Sequence, residues 1–352
     1  MTATSVSIVV PCRNEAGAIP RFLESVLGQQ VGGIDLEVIV ADGHSEDATR
    51  ATLARYCRRD GRLRVVDNPE RGASSGLNLA IGEARGEVII RMDAHTEYAP
   101  DYVRECVRLL QETGADNVGG PARTRARGVV GRAIAAAYHS PFSSGGARFH
   151  DDGYEGWVDT VPYGCWKKET LLRLGLFDEA LVRNQDDELN LRITRSGGRI
   201  WQAPSIRSWY WPRTSLGKLF QQYMQYGYWK VAVIRKHRLP ASWRHLVPAA
   251  FLAANVAWVT AAAAGSALGL RSLGSWSVRM GLALVLSYLA ACLWAASSRI
   301  RREGIAAAAL LPLVFPVFHL SYGAGFLWGL WDALRVPAKD AAARSLVTEV
   351  TR

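Results

Sequence analysis

Residues 246–270 (LVPAAFLAANVAWVTAAAAGSALGL) run without a single charged side chain. A helix of about 20 apolar residues matches the hydrocarbon thickness of a bilayer, so this run reads as a membrane span and not as a core helix. Residues 280–297 (MGLALVLSYLAACLWAAS) just reach spanning length, with a buried core helix as the alternative for so Ala-rich a run. Residues 305–330 carry Pro312, Pro316, His319 and several glycines, which suit a kinked span or two half-length pieces. Three arginines in the SRIRRE segment (298–303) favour the cytoplasmic side for that connection. Besides this region, a chain of 352 residues has room for one large domain.

Charge is distributed as unevenly as hydropathy. The formal net charge is +10, yet no Asp or Glu occurs between Glu188 and Glu303, a stretch with 16 Lys and Arg. The remainder holds 26 basic against 32 acidic residues. Nucleic acid is the usual partner of a basic chain. A basic belt beside apolar runs fits anionic lipid head groups better, so no nucleic-acid partner is expected. Residues 209–237 (WYWPRTSLGKLFQQYMQYGYWKVAVIRKH) are aromatic, basic and amphipathic, and read as lying on the membrane surface. Five scattered cysteines without a CxxC pair argue for reduced thiols and against a disulfide framework or a zinc site. The stretch MTATSVSIVVPCRNE lacks the basic start of a signal peptide. The expected order is a cytosolic domain (1–208), an interface segment (209–245), a membrane region (246–334) and a polar tail (335–352).

Upstream of the belt, strand and helix patterns alternate. Near-continuous Val/Ile runs read as strands at 5–11 (SVSIVVP), 36–42 (LEVIVAD), 62–66 and 87–93, with helical stretches around 17–29, 45–59 and 74–85. Strands apolar on both faces belong to a mostly parallel sheet covered by helices, an α/β fold. Such sheets bind ligands beyond the carboxyl ends of their strands. Arg13, Asn14 and Glu15 follow the first strand, Asp42 ends the second and Asp93 the fourth. One polar strand end is an ordinary turn; three make a candidate site.

The order of these pieces is specific. SIVVPCRNE, VIVADGHSED, NPERGASSGLNLAIGEARGEVIIRMDAH, GLFDE and NQDDELNLRI together resemble the family 2 glycosyltransferases of the GT-A fold. The resemblance covers residues 5–235 and is strongest to the membrane-attached exopolysaccharide branch, the succinoglycan-type glucosyltransferases. It implies a GT-A-type mostly parallel sheet with flanking helices, followed by an interfacial helix and C-terminal transmembrane helices. It also implies a UDP-sugar donor, a Mg2+ or Mn2+ ion, and a saccharide acceptor carried on polyprenyl diphosphate. The protein would be a multi-pass component of the cell inner membrane, with its catalytic domain in the cytosol.

A nucleotide sugar presents a base and ribose, a diphosphate and an anomeric carbon. Asp42 is suited to accept hydrogen bonds from uracil or ribose, a role the resemblance implies together with Pro11, Arg13 and Glu15, with Asp47 supporting the loop. Arg71, just before Gly72, would reach phosphate, and Asn78 resembles the Asn that follows the family's donor loop. The departing diphosphate needs counter-charge, which a hard divalent cation held by one carboxylate, phosphate oxygens and water supplies. Asp93 is the expected ligand. The family pattern there is Asp-x-Asp, whereas this chain has Asp93-Ala94-His95. His95 suits Mn2+ better than Mg2+ and is otherwise a donor to phosphate.

In NQDDELNLRI, Gln185 stands in place of the family's Glu, and Asp186 is the expected base for the acceptor hydroxyl. Asp187 lies one register away, and compensation of a helix dipole is the structural alternative. A single displacement implies inversion at the anomeric carbon. PYGCWKKE resembles the segment framing the acceptor pocket, with Tyr163, Gly164, Cys165 and Trp166 as its floor and Glu169 as a structural cap. QYGYW (225–229) resembles the Gln-x-x-Arg-Trp motif of processive synthases with Tyr228 in the Arg place. Trp229 is therefore expected at the acceptor, while the case for processive polymerisation is weakened. Residues 143–156, Gly-rich and polar, are expected as a mobile loop over the donor.

Other activities stay open at this level. Transfer to polyprenyl phosphate itself would need no base, because that acceptor is already anionic. A catalytically inactive membrane-docking module is disfavoured by intact Asp42, Asp93 and Asp186. A nucleotidyltransferase would want a triphosphate-binding Gly-rich loop or paired metal carboxylates, and neither is evident.

Overall fold

The computed structural model describes residues 4–335; the expected polar tail from 336 onward lies outside them. The chain divides into two units, Met1–Arg125 with Ala147–Trp211, and Ala126–Gly146 with Pro212–Arg352. Up to Arg125 the elements are β1 (Ser5–Cys12), α1 (Ile19–Leu27), β2 (Asp35–Asp42), α2 (Thr49–Cys57), β3 (Leu63–Asp67), α3 (Ala73–Glu83), β4 (Val88–Arg91), β5 (Thr96–Tyr98), α4 (Tyr102–Thr113), β6 (Asn117–Gly119) and β7 (Arg123–Thr124). Two helices of the second unit follow, α5 (Gly128–Tyr138) and α6 (Pro141–Ser144). The first unit resumes with β8 (Gly156–Val158), β9 (Cys165–Lys167), α7 (Lys168–Leu174), α8 (Gln185–Arg195), β10 (Ile200–Gln202) and β11 (Ser208–Tyr210). The second unit then continues through α9 (Leu216–His237), α10 (Val247–Ala267), α11 (Arg271–Ser297), α12 (Ile300–Glu303), α13 (Ile305–Ala308) and α14 (Leu311–Arg335).

In the first unit, eight strands form one sheet in the order β3-β2-β1-β4-β9-β6-β10-β8, and β5-β11-β7 form a second. Strand side chains alternate between faces, and β1 uses both. Val6, Ile8, Val10 and Cys12 pack with α1 and α4 on one side, while Val9 packs with Leu77, Ala80 and Ile81 of α3 and with Leu189 and Ile193 of α8 on the other. Each fully buried Val, Ile or Leu contributes about 1.5–3 kcal/mol, so both faces hold the sheet. The strands and helices expected in residues 5–93 all form. β4 stops at Arg91, earlier than expected, because the Asp93 N–H donates to Tyr98 Oη (2.7 Å) instead of to a neighbouring strand.

Register positions the site. β1, β2 and β3 run parallel, with Cys12 opposite Asp42 and Asp42 opposite Asp67, so their carboxyl ends are level. β9 runs antiparallel to β4 with Cys165 opposite Ile90. Residues 163–164 therefore begin beside the end of β4, where the Arg91 N–H donates to the Gly164 carbonyl (3.1 Å).

Among the described residues of the second unit, three helical stretches are long and apolar enough to cross a membrane: Trp243–Ala267, Gly274–Ser297 and Ile305–Arg335. The third is a short α13 followed by a continuous α14 with Pro316 inside it. α9, expected to lie on a surface, packs along α14 through glycines. A Cβ at Gly227 would fall 2.0 Å from the Tyr322 carbonyl oxygen, and one at Gly325 would fall 1.9 Å from that of Met224. Small residues of this kind let two helix backbones approach closely. α9 buries Gln222, Gln225, Tyr228, Trp229 and Lys230, and Tyr228 Oη donates to Asp332 Oδ2 (3.1 Å).

Candidate active site

The level strand ends send their loops out from one edge of the sheet. In these loops, and in the two that lead into β9 and α8, a non-glycine residue adopts left-handed backbone: Asn14, His44, Arg71, Tyr163 and Asn184, with φ between 53° and 63°. That conformation costs an L-residue about 1–2 kcal/mol and persists only where the surroundings impose it. For Asn14 the constraints are visible. Its N–H donates to Ser45 Oγ (2.8 Å), and its Oδ1 accepts from the Glu46 N–H (2.8 Å). The Glu15 and Ala16 N–H groups donate to Thr49 Oγ1 (2.8 Å) and Asp47 Oδ2 (3.0 Å). Desolvation alone would raise the Asp47 carboxyl; bonds from Thr49 and Ala16 outweigh it and hold the group below its ordinary value. Asp47 thus ties the loop after β1 to the loop after β2.

At the centre stands Arg91, the last residue of a strand whose four residues are all buried. Its Nε lies 3.1 Å from Asp93 Oδ1 and its Nη2 3.3 Å from Asp93 Oδ2, a two-pronged grip. Nη1 lies 4.0 Å from Asp186 Oδ2, and the guanidinium sits over the Phe177 ring at 5.9 Å. Burial alone would lower the pKa of Arg91; the charges of Asp93 and Asp186 reverse this and raise it. Asp186 occupies the first turn of α8 with its side chain 35% exposed, and its Oδ1 accepts from the Asp187 N–H (3.1 Å). Glu188 points elsewhere: fully buried, it pairs with Arg192 at 2.8 Å.

Around these carboxylates lies an aromatic wall. Tyr163 Oη and Thr96 Oγ1 are 2.8 Å apart, and the Tyr98 and Tyr163 rings meet edge-on at 5.9 Å. Burial pushes both phenols up, so both stay neutral. His95 is 48% exposed, with Nδ1 3.5 Å from Glu15 Oε1 and its ring edge-on to Tyr210 at 6.2 Å. Glu15, Asp93, His95, Tyr163 and Asp186 are thus gathered at one edge. Sequence reasoning missed Arg91, Phe177 and Tyr210. An arginine inside the otherwise apolar VIIR strand was the available signal for the first.

Other expected site residues are engaged differently. Asp42 is fully buried; Oδ1 accepts from Ser45 Oγ (2.5 Å), Oδ2 accepts from the Ser45 N–H (3.2 Å), and Arg50 Nε lies 3.4 Å away. Arg13 and Arg71 flank Gly43, where a Cβ would stand 3.2 Å from Arg71 Cα and 3.4 Å from Arg13 Cβ. Pro11 lies in β1 opposite Ala41. Asn78 is a clamp: Nδ2 donates to the Phe177 carbonyl (2.9 Å) and Glu179 Oε1 (2.7 Å), and Oδ1 accepts from the Phe177 N–H (2.9 Å). It reaches the site through Phe177, beneath Arg91.

Of the expected acceptor floor, Tyr163 borders the carboxylates, but Cys165 and Trp166 are 0% and 1% exposed. These two are sheet core in β9 and shape the site from beneath. Gly164 is required where it stands, with φ at 116° and a Cβ there only 2.3 Å from the Trp166 ring. Trp229 belongs to the second unit, buried on α9. The segment expected as a mobile loop is tied down over residues 148–154: Gln202 Nε2 donates to the carbonyls of Arg148, Asp151 and Tyr154 (3.2, 3.2 and 3.3 Å).

A mostly parallel sheet with flanking helices, whose strand-end loops and the start of α8 gather these carboxylates, has the architecture of a GT-A-type glycosyltransferase. Comparison with known proteins narrows the class. Residues 7–166 match the family model described as glycosyl transferase family 2. Over 342 residues the chain is 32% identical to succinoglycan biosynthesis protein ExoA of Rhizobium meliloti (strain 1021), covering 95% of this chain and 98% of that protein. The chain belongs to the family 2 glycosyltransferases. It is also 27% identical over 256 residues, 70% of this chain and 78% of the relative, to a protein of Methanococcus voltae. That protein is named dolichyl N-acetyl-alpha-D-glucosaminyl phosphate 3-beta-D-2,3-diacetamido-2,3-dideoxy-beta-D-glucuronosyltransferase. Among solved structures, mannosyltransferase PcManGT from Pyrobaculum calidifontis, in complex with GDP-Man and Mn2+, shares the fold. Its TM-score is 0.60 at 19% identity, over 94% of this chain and 88% of that one.

Proposed function

We propose that this glycosyltransferase is an inverting, metal-dependent enzyme of exopolysaccharide or cell-surface glycan synthesis. It moves a hexose from a UDP-sugar to a saccharide on polyprenyl diphosphate, with its catalytic domain on the cytosolic side of the inner membrane. The observation carrying this reading is the placement of Asp93 and Asp186 on either side of one buried guanidinium at the strand ends. The relatives support the setting: one is named for succinoglycan biosynthesis, and the other's name contains a dolichyl-linked sugar.

The residues suit a divalent ion brought in with the donor. Among the described residues, no three His, Cys, Asp or Glu side chains gather as a cage. Asp93 and the half-exposed His95 offer two ligands and leave the remaining positions to diphosphate oxygens and water, as hard cations in phosphate sites prefer. Glu15 beside His95 Nδ1 would orient the ring. When bound, the ion supplies positive charge to the leaving diphosphate.

Asp186 then takes the proton of the acceptor hydroxyl as that oxygen bonds to the anomeric carbon. The bond from that carbon to the diphosphate breaks, and UDP leaves with the electron pair. Because Asp186 is a base toward a hydroxyl, a sugar acceptor is favoured over polyprenyl phosphate.

Lipids extracted from cells lacking the protein should contain the accumulated acceptor. Incubating them with the purified full chain and UDP-glucose, UDP-galactose or GDP-mannose, followed by mass spectrometry, should show one hexose added from a UDP-sugar. EDTA should abolish the addition and Mn2+ or Mg2+ should restore it. Full activity in EDTA would remove the metal, and transfer to polyprenyl phosphate alone would replace the acceptor.

A further inference from the structure

We infer that Arg91 is a positioning residue that holds the base, Asp186, at a fixed place relative to Asp93; the inference rests on the reading of Asp186 as base. Three observations converge on it. The Arg91 side chain is only 8% exposed, in a strand that is otherwise Val and Ile. An arginine there carries a large desolvation penalty that only charge partners offset. One edge of the guanidinium grips Asp93 through Nε and Nη2, fixing its plane. The remaining nitrogen, Nη1, is buried, has no hydrogen-bond partner, and lies 4.0 Å from Asp186 Oδ2.

A purely structural arginine gains from hydrogen-bonding every buried nitrogen, because an unmatched buried donor costs about 1–3 kcal/mol. Here Nη1 faces the partly exposed carboxylate of the helix start across a distance that charge attraction spans and a direct hydrogen bond does not. Asp186 is thereby drawn toward Arg91 while its oxygens remain reachable by an acceptor hydroxyl. Supports on either side keep the guanidinium in place. Phe177 lies under it, with its backbone clamped by Asn78, and the Arg91 N–H is bonded to Gly164. One planar cation thus sets the spacing of two carboxylates that belong to different elements. Lysine, a point charge on a flexible stem, can stay paired with Asp93 but cannot at the same time hold Asp186 in that geometry.

The test is a double-mutant cycle on the full chain in lipid nanodiscs, with Arg91→Lys, Asp186→Asn and the pair. Turnover is measured with the most active donor of the panel above and the extracted lipid acceptor, and is normalised to the number of sites that bind UDP. Arg91→Lys should lower kcat about 10–100-fold while KM for the donor and the affinity for UDP change less than about 3-fold. On the Asp186→Asn background the same change should lower kcat less than about 3-fold, because the group being positioned is gone. Arg91→Gln, neutral and still able to donate to Asp93, is the second variant should Arg91→Lys fold poorly, and it should show the same non-additivity.

Equal losses on both backgrounds would overturn the inference and leave the base in place. A normal kcat per UDP-binding site with a lowered melting temperature would reduce Arg91 to a structural residue. Wild-type turnover in Asp186→Asn would remove the base reading and this inference with it.

Discussion

Asp186 and Asp187 are neighbours on the first turn of α8, and the proposed base is the first of the two. Asp186 Oδ2 stands 4.0 Å from Arg91, while Asp187 directs its N–H to Asp186 Oδ1. Asp186→Asn keeps the shape but removes the proton acceptor, so turnover with the lipid acceptor should fall about 10²–10⁴-fold. UDP affinity should hold, and Asp187→Asn should retain most activity; titrating UDP and counting product in both variants checks this. A larger loss in Asp187→Asn would place the base one residue later. Sequence alone left the two acids open, because successive helical residues differ by about 100° in direction and the neighbours of α8 are needed to fix that angle. It also put Cys165 and Trp166 in an acceptor floor. Their strand turned out to be central, with β4 on one side and β6 on the other, and its side chains are enclosed.

Glu37 shows how the sheet's elements are bound together away from the site. It lies opposite Ser7 of β1. Oε1 accepts from Ser7 Oγ (2.6 Å) and the Arg85 N–H (2.6 Å), and Arg64 of β3 donates to Oε2 (3.0 Å). Burial alone would raise its pKa, but the bonds from Ser7, Arg85 and Arg64 bring it down to about 2. A carboxylate whose pKa is lowered by folding stabilises the native state above its unfolded value of 4.5, and that contribution disappears as pH falls from 4.5 toward 2. Glu37→Gln should therefore lower stability by about 1–2 kcal/mol at pH 7. The gap from wild type should close as the pH approaches 2; denaturant midpoints at pH 7, 4 and 2.5 measure it. At this scale the chain was largely legible. Covered parallel strands announce themselves as unbroken Val/Ile runs, whereas three-residue strands such as β6, β8, β9 and β10 carry too short a pattern to read.

At the scale of the whole molecule, we propose that the basic belt docks the chain on an anionic leaflet. Arg235, Lys236 and Arg238 are exposed near the end of α9, and Arg244 follows, next to Trp243, which is 74% exposed. Each cation held near an anionic leaflet contributes about 1 kcal/mol. Neutralising all four should raise KM for the lipid acceptor strongly while UDP binding stays as in wild type. Added salt should weaken lipid-acceptor transfer in the wild type, since screening acts on the same charges. Assays on vesicles with and without anionic lipid, beside a water-soluble acceptor sugar, measure this. Equal losses with soluble and lipid acceptors would mean that the four residues serve the fold and not docking.

The sequence by itself determined the class of sheet, the three apolar helices, the acid-free belt, the polar strand ends and the family, because each is written in a local period or an ordered set of short motifs. Tertiary structure alone decided what meets at the strand ends. Setting β9 beside β4 brings Tyr163 and Gly164 to Arg91. The Asn78 clamp puts Phe177 beneath that guanidinium, and the angle of α8 turns Asp186 toward it and Glu188 away. Those encounters join segments far apart in the chain. Strand order and helix phase, which no local pattern encodes, select them.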